Sequence, residues 1–299
     1  MAREIQCPYC GARFTVPETV SIAVCPYCGT TVRVETGERL AEHYMYDARL
    51  DVNSAYRRAI GVALRQFAAP EDLESGASIA RGLLHYVPLY LFHIRVTASC
   101  PDNPEAGIEE RYISVLATST SLRGLSRYYP FPTRGRRYFE PAKLEMGKYH
   151  QPDVKPEEIL KRLAPAYAGR ALMEAYNDCD EPKVRDESRW EGLVHYPFWE
   201  LAYTYNGREY YALVDATDGT VVYLEYPIAG KKRGALVAGA IASLAAGLVG
   251  GILGGHYAMA SLAITPGHAA WAAAGIVSGV PAAYRLLRLG TAPRGTYTI

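Results

Sequence analysis

Apolar and polar residues alternate or recur at helical spacing along most of this chain, but from Gly234 to Tyr284 the pattern stops. Those 51 residues contain no Asp, Glu, Lys or Arg. Lys231-Lys232-Arg233 stands just before them, and Arg285 and Arg288 follow at once. A membrane core about 30 Å thick needs roughly 20 apolar residues of helix, so the stretch is long enough for two spans and a turn. Cations at both outer edges put both ends on the cytosolic side. The pattern therefore predicts a C-terminal two-helix transmembrane hairpin over residues 230–288 and a short cytosolic tail over 289–299. An Ala-rich soluble hairpin is the competing reading, but it should show charges at helical spacing on its outer face, and none are present. Small residues recur every four positions at Gly239, Ser243, Gly247, Gly251 and Gly255, and again at Gly275, Gly279 and Ala283. Such ridges let backbones approach closely in lipid, within the hairpin or between copies of the chain as a homo-oligomer.

Residues 37–229 carry shorter periods and read as a central α+β domain. Tyr44 to Leu50 alternates like a strand, and Asn53 or Ser54 is placed to cap a helix running from about Ala55 to Phe67. A second helical stretch spans about Leu73 to Leu84. The run after Pro88, from Leu89 to Val96, is rich in β-formers and predicts a strand, with Glu109 to Leu116 as its partner. A similar order then recurs. Tyr138 to Glu145 takes the place of the first strand, helices are predicted from Pro156 and from about Gly169 to Asn177, and Leu193 to Trp199 reads as a strand. Aligning His85-Tyr86 with His195-Tyr196 gives an offset of 110 residues, so 37–120 and 136–229 read either as diverged half-repeats or as parts of one unsymmetric domain.

The strongest short-range signal is a hairpin. Glu200 to Tyr205 and Arg208 to Val214 flank Asn206-Gly207, a pair suited to a tight turn between strands. Asp215 to Gly219 turns again, and Thr220 to Leu224 makes a third strand. Tyr226-Pro227-Ile228-Ala229-Gly230 is then a very short linker to the apolar segment.

Composition narrows the function only a little. The formal charge is +1, from 32 basic and 31 acidic residues, so no global field attracts nucleic acid or anionic lipid. Arginine outnumbers lysine 25 to 7. The first residues, Met1 to Ile5, contain no apolar run and predict no signal peptide.

Residues 1–36 hold the clearest chemistry. Cys7-Pro8-Tyr9-Cys10-Gly11 is echoed by Cys25-Pro26-Tyr27-Cys28-Gly29, with 14 residues between Cys10 and Cys25. Two such knuckles supply four thiolates that close a tetrahedron. Glycine after the second cysteine of each permits the positive φ that curls the backbone toward sulfur. Arg13 to Val16, Ile22 to Val24 and Thr30 to Val34 read as short strands. So short a segment buries too little core to fold unaided, and the metal would supply the folding free energy. Disulfides conflict with a cytosolic setting, and four thiolates also suit rubredoxin-type iron. The expected cofactor is one structural Zn2+ on Cys7, Cys10, Cys25 and Cys28, with no open position for a substrate.

These knuckles resemble a zinc ribbon. The meander from Tyr196 to Pro227 resembles PepSY-like modules. Together with the apolar hairpin, the layout is similar to uncharacterised prokaryotic, archaeal-like, membrane-anchored zinc-ribbon proteins. That resemblance implies a fold and carries no catalytic residue with it.

Other constellations are weaker. Arg123, Arg127, Arg134, Arg136 and Arg137 occur without an acid among them, interleaved with Tyr128, Tyr129 and Phe131; they suit a solvated linker, a lipid surface or a phosphate-bearing ligand. Asp178, Asp180 and Glu181 read as an exposed helix exit, and Cys100 and Cys179 as isolated thiols. His85, His93, His150, His195, His256 and His268 show no metal-binding spacing. No nucleophile elbow, phosphate loop or zincin helix is present. The resulting expectation is a non-enzymatic scaffold at the cytoplasmic membrane, with two spans, both termini cytosolic and a protein partner. The alternatives are a tethered nucleic-acid-binding protein and a small channel or transport accessory.

Overall fold

The structure, a computed structural model, describes residues 2–18, 20, 22–28, 30–38, 42–100, 103–119, 122–132, 135–140, 146–175, 183–260, 280–288, 290–292 and 294–299. It forms two compact units. One comprises Met1–Arg58, Arg81–Ala202 and Ala212–Tyr223; the other comprises Ala59–Ala80, Tyr203–Tyr211 and Leu224–Ile299.

The first unit opens with two small antiparallel sheets. Strands β1 (Ala2–Gln6) and β2 (Arg13–Pro17) pair in one, and β3 (Ile22–Val24) and β4 (Thr31–Arg33) in the other. Phe14, Val16, Val20, Ala23 and Val32 close a miniature core around Cys7 and Cys25. This core is a handful of side chains, too few to stabilise a fold alone.

Among the described residues, the remaining strands form one ten-stranded sheet. Its strands are β5 (His43–Met45), β6 (Ala77–Cys100), β7 (Asn103–Leu116), β8 (Arg137–Tyr138), β9 (Lys148–Tyr149), β10 (Lys183–Asp186), β11 (Arg189–Tyr205), β12 (Arg208–Asp215), β13 (Val221–Tyr226) and β14 (Gly295–Thr298). The order is β10-β6-β11-β12-β13-β14, with β7 antiparallel to β6 and β8 antiparallel to β5. Two very short strands pair in parallel: β5 with β11, and β9 with β6. Helix α3 (Pro156–Ala175) covers the sheet of the first unit, setting Ile159, Leu163 and Ala171 against Tyr90, Phe92, Ile94 and Val96.

Several local expectations change under tertiary pairing. Helix α1 runs over Val52–Leu64, and its cap is Asp51, whose carboxylate accepts the Ser54 N–H at 2.7 Å, rather than Asn53 or Ser54. The helix expected from Leu73 to Leu84 shrinks to α2 (Leu73–Gly76), because Ala77 onward is drawn into the 24-residue strand β6. Ladder bonds there outweigh a local helical period. The two helices expected after Pro156 are one, continuous through Pro165, since the apolar stripe facing the sheet outweighs the single bond that proline removes. Likewise Leu193 to Trp199 and Glu200 to Tyr205 are one strand. The Asn206-Gly207 turn is as expected, both residues having positive φ (48° and 72°).

The second unit contains α4 (Gly230–Ala260), entered directly from β13. Its segment Gly230–Leu253 contains an 18-residue stretch of mean hydropathy 2.2, 11% of it buried, so the segment is long and apolar enough to cross a membrane. Ile241, Leu248, Ile252 and Leu253 point outward. Gly239, Ser243, Gly247 and Gly251 form a less exposed stripe, and Gly255 continues the helix. Residues 280–288 are again helical, and Leu286 lies over Gly239. The expected turn and most of the second span, with Gly275 and Gly279, lie outside the described residues. The tail is more than a tail: β14 joins the sheet beside β13, and Arg294 pairs with the buried carboxylate of Glu225.

Candidate metal centre and buried histidine chain

The two knuckles bring Cys7, Cys10, Cys25 and Cys28 together with all four sulfurs within 4.8 Å of one another. Each knuckle is a hydrogen-bonded turn. Cys7 N–H donates to Ala12 O at 2.9 Å, Gly11 N–H to Cys7 O at 3.0 Å, and Cys25 N–H to Thr30 O at 2.9 Å. Cys7 and Cys28 Sγ are 3.6 Å apart, and Cys10 and Cys25 Sγ 3.7 Å. A tetrahedral ion with metal–sulfur bonds of about 2.3 Å has sulfur–sulfur edges of about 3.8 Å, so the four thiols fit one ion. None of the four is in a disulfide. Their acidities are split. Burial raises the Cys28 thiol, but hydrogen bonding with the Thr30 side chain and backbone outweighs it and holds it down to about 6. The Ala12 backbone pulls Cys10 down, yet desolvation and the three neighbouring sulfurs push it up to about 12. A cation is what allows all four to ionise together. These distances suit zinc and iron alike.

The module is bound to the rest of its unit. Arg33 donates to Glu157 at 3.3 Å and lies 5.1 Å over the Trp190 ring, while Lys155 pairs with Glu35. Thr31 contacts the Nδ1 of buried His43.

His43 begins a chain of histidines through the first unit. Its Nε2 is 2.8 Å from His195 Nδ1, and His195 Nε2 is 3.0 Å from the His150 carbonyl oxygen. His150 Nε2 is 2.8 Å from His85 Nδ1, and His85 Nε2 is 2.9 Å from the Glu200 carboxylate. The acceptors assign the protons. A carbonyl oxygen only accepts, so His195 carries its proton on Nε2; its Nδ1 then accepts from His43 Nε2–H, and His43 Nδ1 accepts from Thr31. By the same reasoning His85 donates from Nε2 to Glu200 and accepts at Nδ1 from His150. Phe139 stacks on His43 at 3.9 Å and Tyr149 on His195 at 4.4 Å between ring centres, which excludes water.

Burial keeps these rings neutral. Desolvation lowers His43 well below the usual histidine range, with His195 adding to it. Burial takes His195 down to about 3, and burial with the neighbouring His85 takes His150 to about 4. For His85 burial also wins, against the Glu200 carboxylate, so that contact is a hydrogen bond rather than an ion pair.

Sequence reading missed His43 and the pairing of His85 with His150. A usable signal existed: Gly82-Leu83-Leu84-His85-Tyr86 recurs as Gly192-Leu193-Val194-His195-Tyr196. Each copy lies on a long strand, and each long strand takes one short parallel strand, β9 or β5, that brings a second histidine. His93 stands apart, bonded to Glu110 at 2.9 Å. His256 lies on α4; His268, Cys179 and its acidic neighbours are outside the described residues.

Among its described residues, the arginine loop packs in part against the rest of the unit. Tyr129 is buried within it and donates to Asp215 at 2.7 Å. Arg136 lies 4.7 Å over Tyr44, and Arg137 pairs with Asp47 at 3.0 Å. Arg123 is also engaged, Arg127 lines a cavity of about 500 Å³ with Leu116, Ser119, Asp153 and Arg162, and Arg134 is outside the described residues. No protein-family model, curated protein or solved structure matches this chain.

Proposed function

We propose that this chain is a membrane-tethered, zinc-binding interaction module without catalytic activity, carrying its metal centre and sheet on the cytosolic face. The observation that carries the reading is α4. Within the 24 residues Gly230–Leu253, which follow closely on a sheet strand, an 18-residue stretch has a mean hydropathy of 2.2 and only 11% of it is buried. In water such a face is an aggregation liability; in lipid it is an anchor. Lys231, Lys232 and Arg233 at its start favour the cytosolic side.

Two spans are favoured over one by the position of β14. It neighbours β13 in the sheet, so a chain that leaves at Tyr226 is back beside its point of departure at Gly295. A single crossing would leave the two strands on opposite sides of the bilayer. Zinc rather than iron is favoured by the resemblance of the paired Cys-Pro-Tyr-Cys-Gly knuckles to a zinc ribbon and by their 14-residue separation, short for a rubredoxin-type site. The paired arrangement of His43 with His195 and His150 with His85 supports reading the central domain as a diverged duplication.

The test is extraction and topology in the native membrane. The protein should resist alkaline carbonate, dissolve in detergent, and show reporter tags on residue 1 and residue 299 on the same, cytosolic side. Release by carbonate, or tags on opposite sides, defeats the anchor or the two-span topology respectively.

A further inference from the structure

In the second unit, where α4 begins, a cavity of about 420 Å³ is lined by Glu71, Asp72, Tyr205, Ile228, Lys231 and Lys232, among others. That volume is in the range of small-ligand sites, about 300–1,000 Å³. Two ammonium groups and two carboxylates share it, yet no ion pair joins them. One lysine and one carboxylate are engaged elsewhere, and all four side chains are exposed. Lys232 Nζ donates to the Ala69 carbonyl at 3.2 Å, and Asp72 Oδ1 accepts from the Tyr205 hydroxyl at 2.7 Å. Opposite charges sharing a gap suit a ligand that carries both signs.

We propose that this cavity binds a phosphoethanolamine group, phosphate toward Lys231 and Lys232 and primary ammonium toward Glu71 and Asp72. The proposal of a lipid as its source rests on the membrane reading above. Gly230, which also lines the cavity, is the first residue of the apolar segment, so an α4 that crosses a bilayer holds the cavity at headgroup level. A choline group is disfavoured because its quaternary nitrogen has no N–H to give the carboxylates. An anionic glycerol headgroup leaves Glu71 and Asp72 unanswered.

The test uses the full chain, delipidated in detergent and titrated with short-chain phosphatidylethanolamine, phosphatidylcholine or phosphatidylglycerol, with bound lipid counted by native mass spectrometry. Phosphatidylethanolamine should bind about tenfold more tightly than either of the others. Glu71→Gln, at an exposed position, should bring phosphatidylethanolamine and phosphatidylcholine close to parity, and Lys231→Ala with Lys232→Ala should weaken all three. Equal affinities in the unmodified chain, or a preference untouched by both sets of changes, overturns the proposal. Soluble phosphoethanolamine forms a separate arm. If carbonate releases the chain from membranes, binding of the soluble compound with the same sensitivity to Glu71→Gln retains the site and assigns a soluble source. Its failure to bind then sinks the site together with the anchor.

Discussion

His43 Nε2 donates a hydrogen bond to His195 Nδ1 across 2.8 Å, although the two residues are 152 positions apart. The bond ties the three-residue strand β5 to the long strand β11, and through Thr31 it also holds the four-cysteine module. Both rings are buried, and the carbonyl of His150 fixes the proton positions of the pair. A contact with so much attached to it yields several measurable consequences.

The histidine chain sets a pH dependence. A histidine whose folded pKa lies below its ordinary 6.5 contributes stability that is complete above 6.5 and is lost as pH falls toward the folded value. His195 goes to about 3 and His150 to about 4, so the loss runs from pH 6.5 down to roughly 3. His195 alone should account for on the order of 3 kcal/mol by pH 4. Imidazole 15N spectra of the full chain in detergent should show His43 and His195 as neutral Nε2–H tautomers at pH 5. Protonation of either ring near pH 6 contradicts this assignment.

Thr31→Val removes the hydroxyl that His43 Nδ1 accepts from and leaves that nitrogen buried and unsatisfied. The expected cost is about 1–3 kcal/mol. Amide exchange should rise in β3 and β4, while α4 remains protected. A change confined to α4 would argue against this route of coupling.

Gly192→Ala tests the close approach of β5 to β11. Gly192 has φ of +145°, and a Cβ there would lie 2.7 Å from the backbone oxygen of Glu42. The two strands must move apart, stretching the His43–His195 bond. Destabilisation of about 2–4 kcal/mol is expected, read as a lowered denaturation midpoint, together with loss of the His195 tautomer signal. An unchanged midpoint would show that β5 yields freely.

Metal removal should uncouple the first residues without disturbing α4, the proposed anchor. Purified chain is expected to carry about one zinc per molecule and no iron, measured by elemental analysis. Cys25→Ser should abolish that content and expose β1 to β4 to protease, while the protein stays in the membrane fraction. Iron in place of zinc would refute the cofactor proposal; an intact four-cysteine module without metal would refute its folding role.

Much of the fold was legible because its signals are local. The knuckle cysteines are three residues apart, the Asn206-Gly207 turn is two residues long, and the apolar segment declares itself by missing charge. The length of β6 was not legible. Its first eight residues carry a helical period, and only pairing within the sheet makes them a strand. The candidate chemistry divides the same way. The four thiols could be named from spacing, and His85 and His195 could be matched as repeat positions; their partners could not, since His85 and His150 are 65 residues apart and His43 lies on a strand too short to announce itself.

By itself the sequence determined the four-cysteine cluster, the meander from β11 to β13 and the apolar character of α4, because each depends on neighbours along the chain. Tertiary structure alone decided which histidines meet, which tautomers they hold, and that β14 comes back to lie beside β13. Those outcomes depend on which distant segments share a sheet. Burial there removes water as a competing partner, leaving each imidazole the one proton arrangement its neighbours accept.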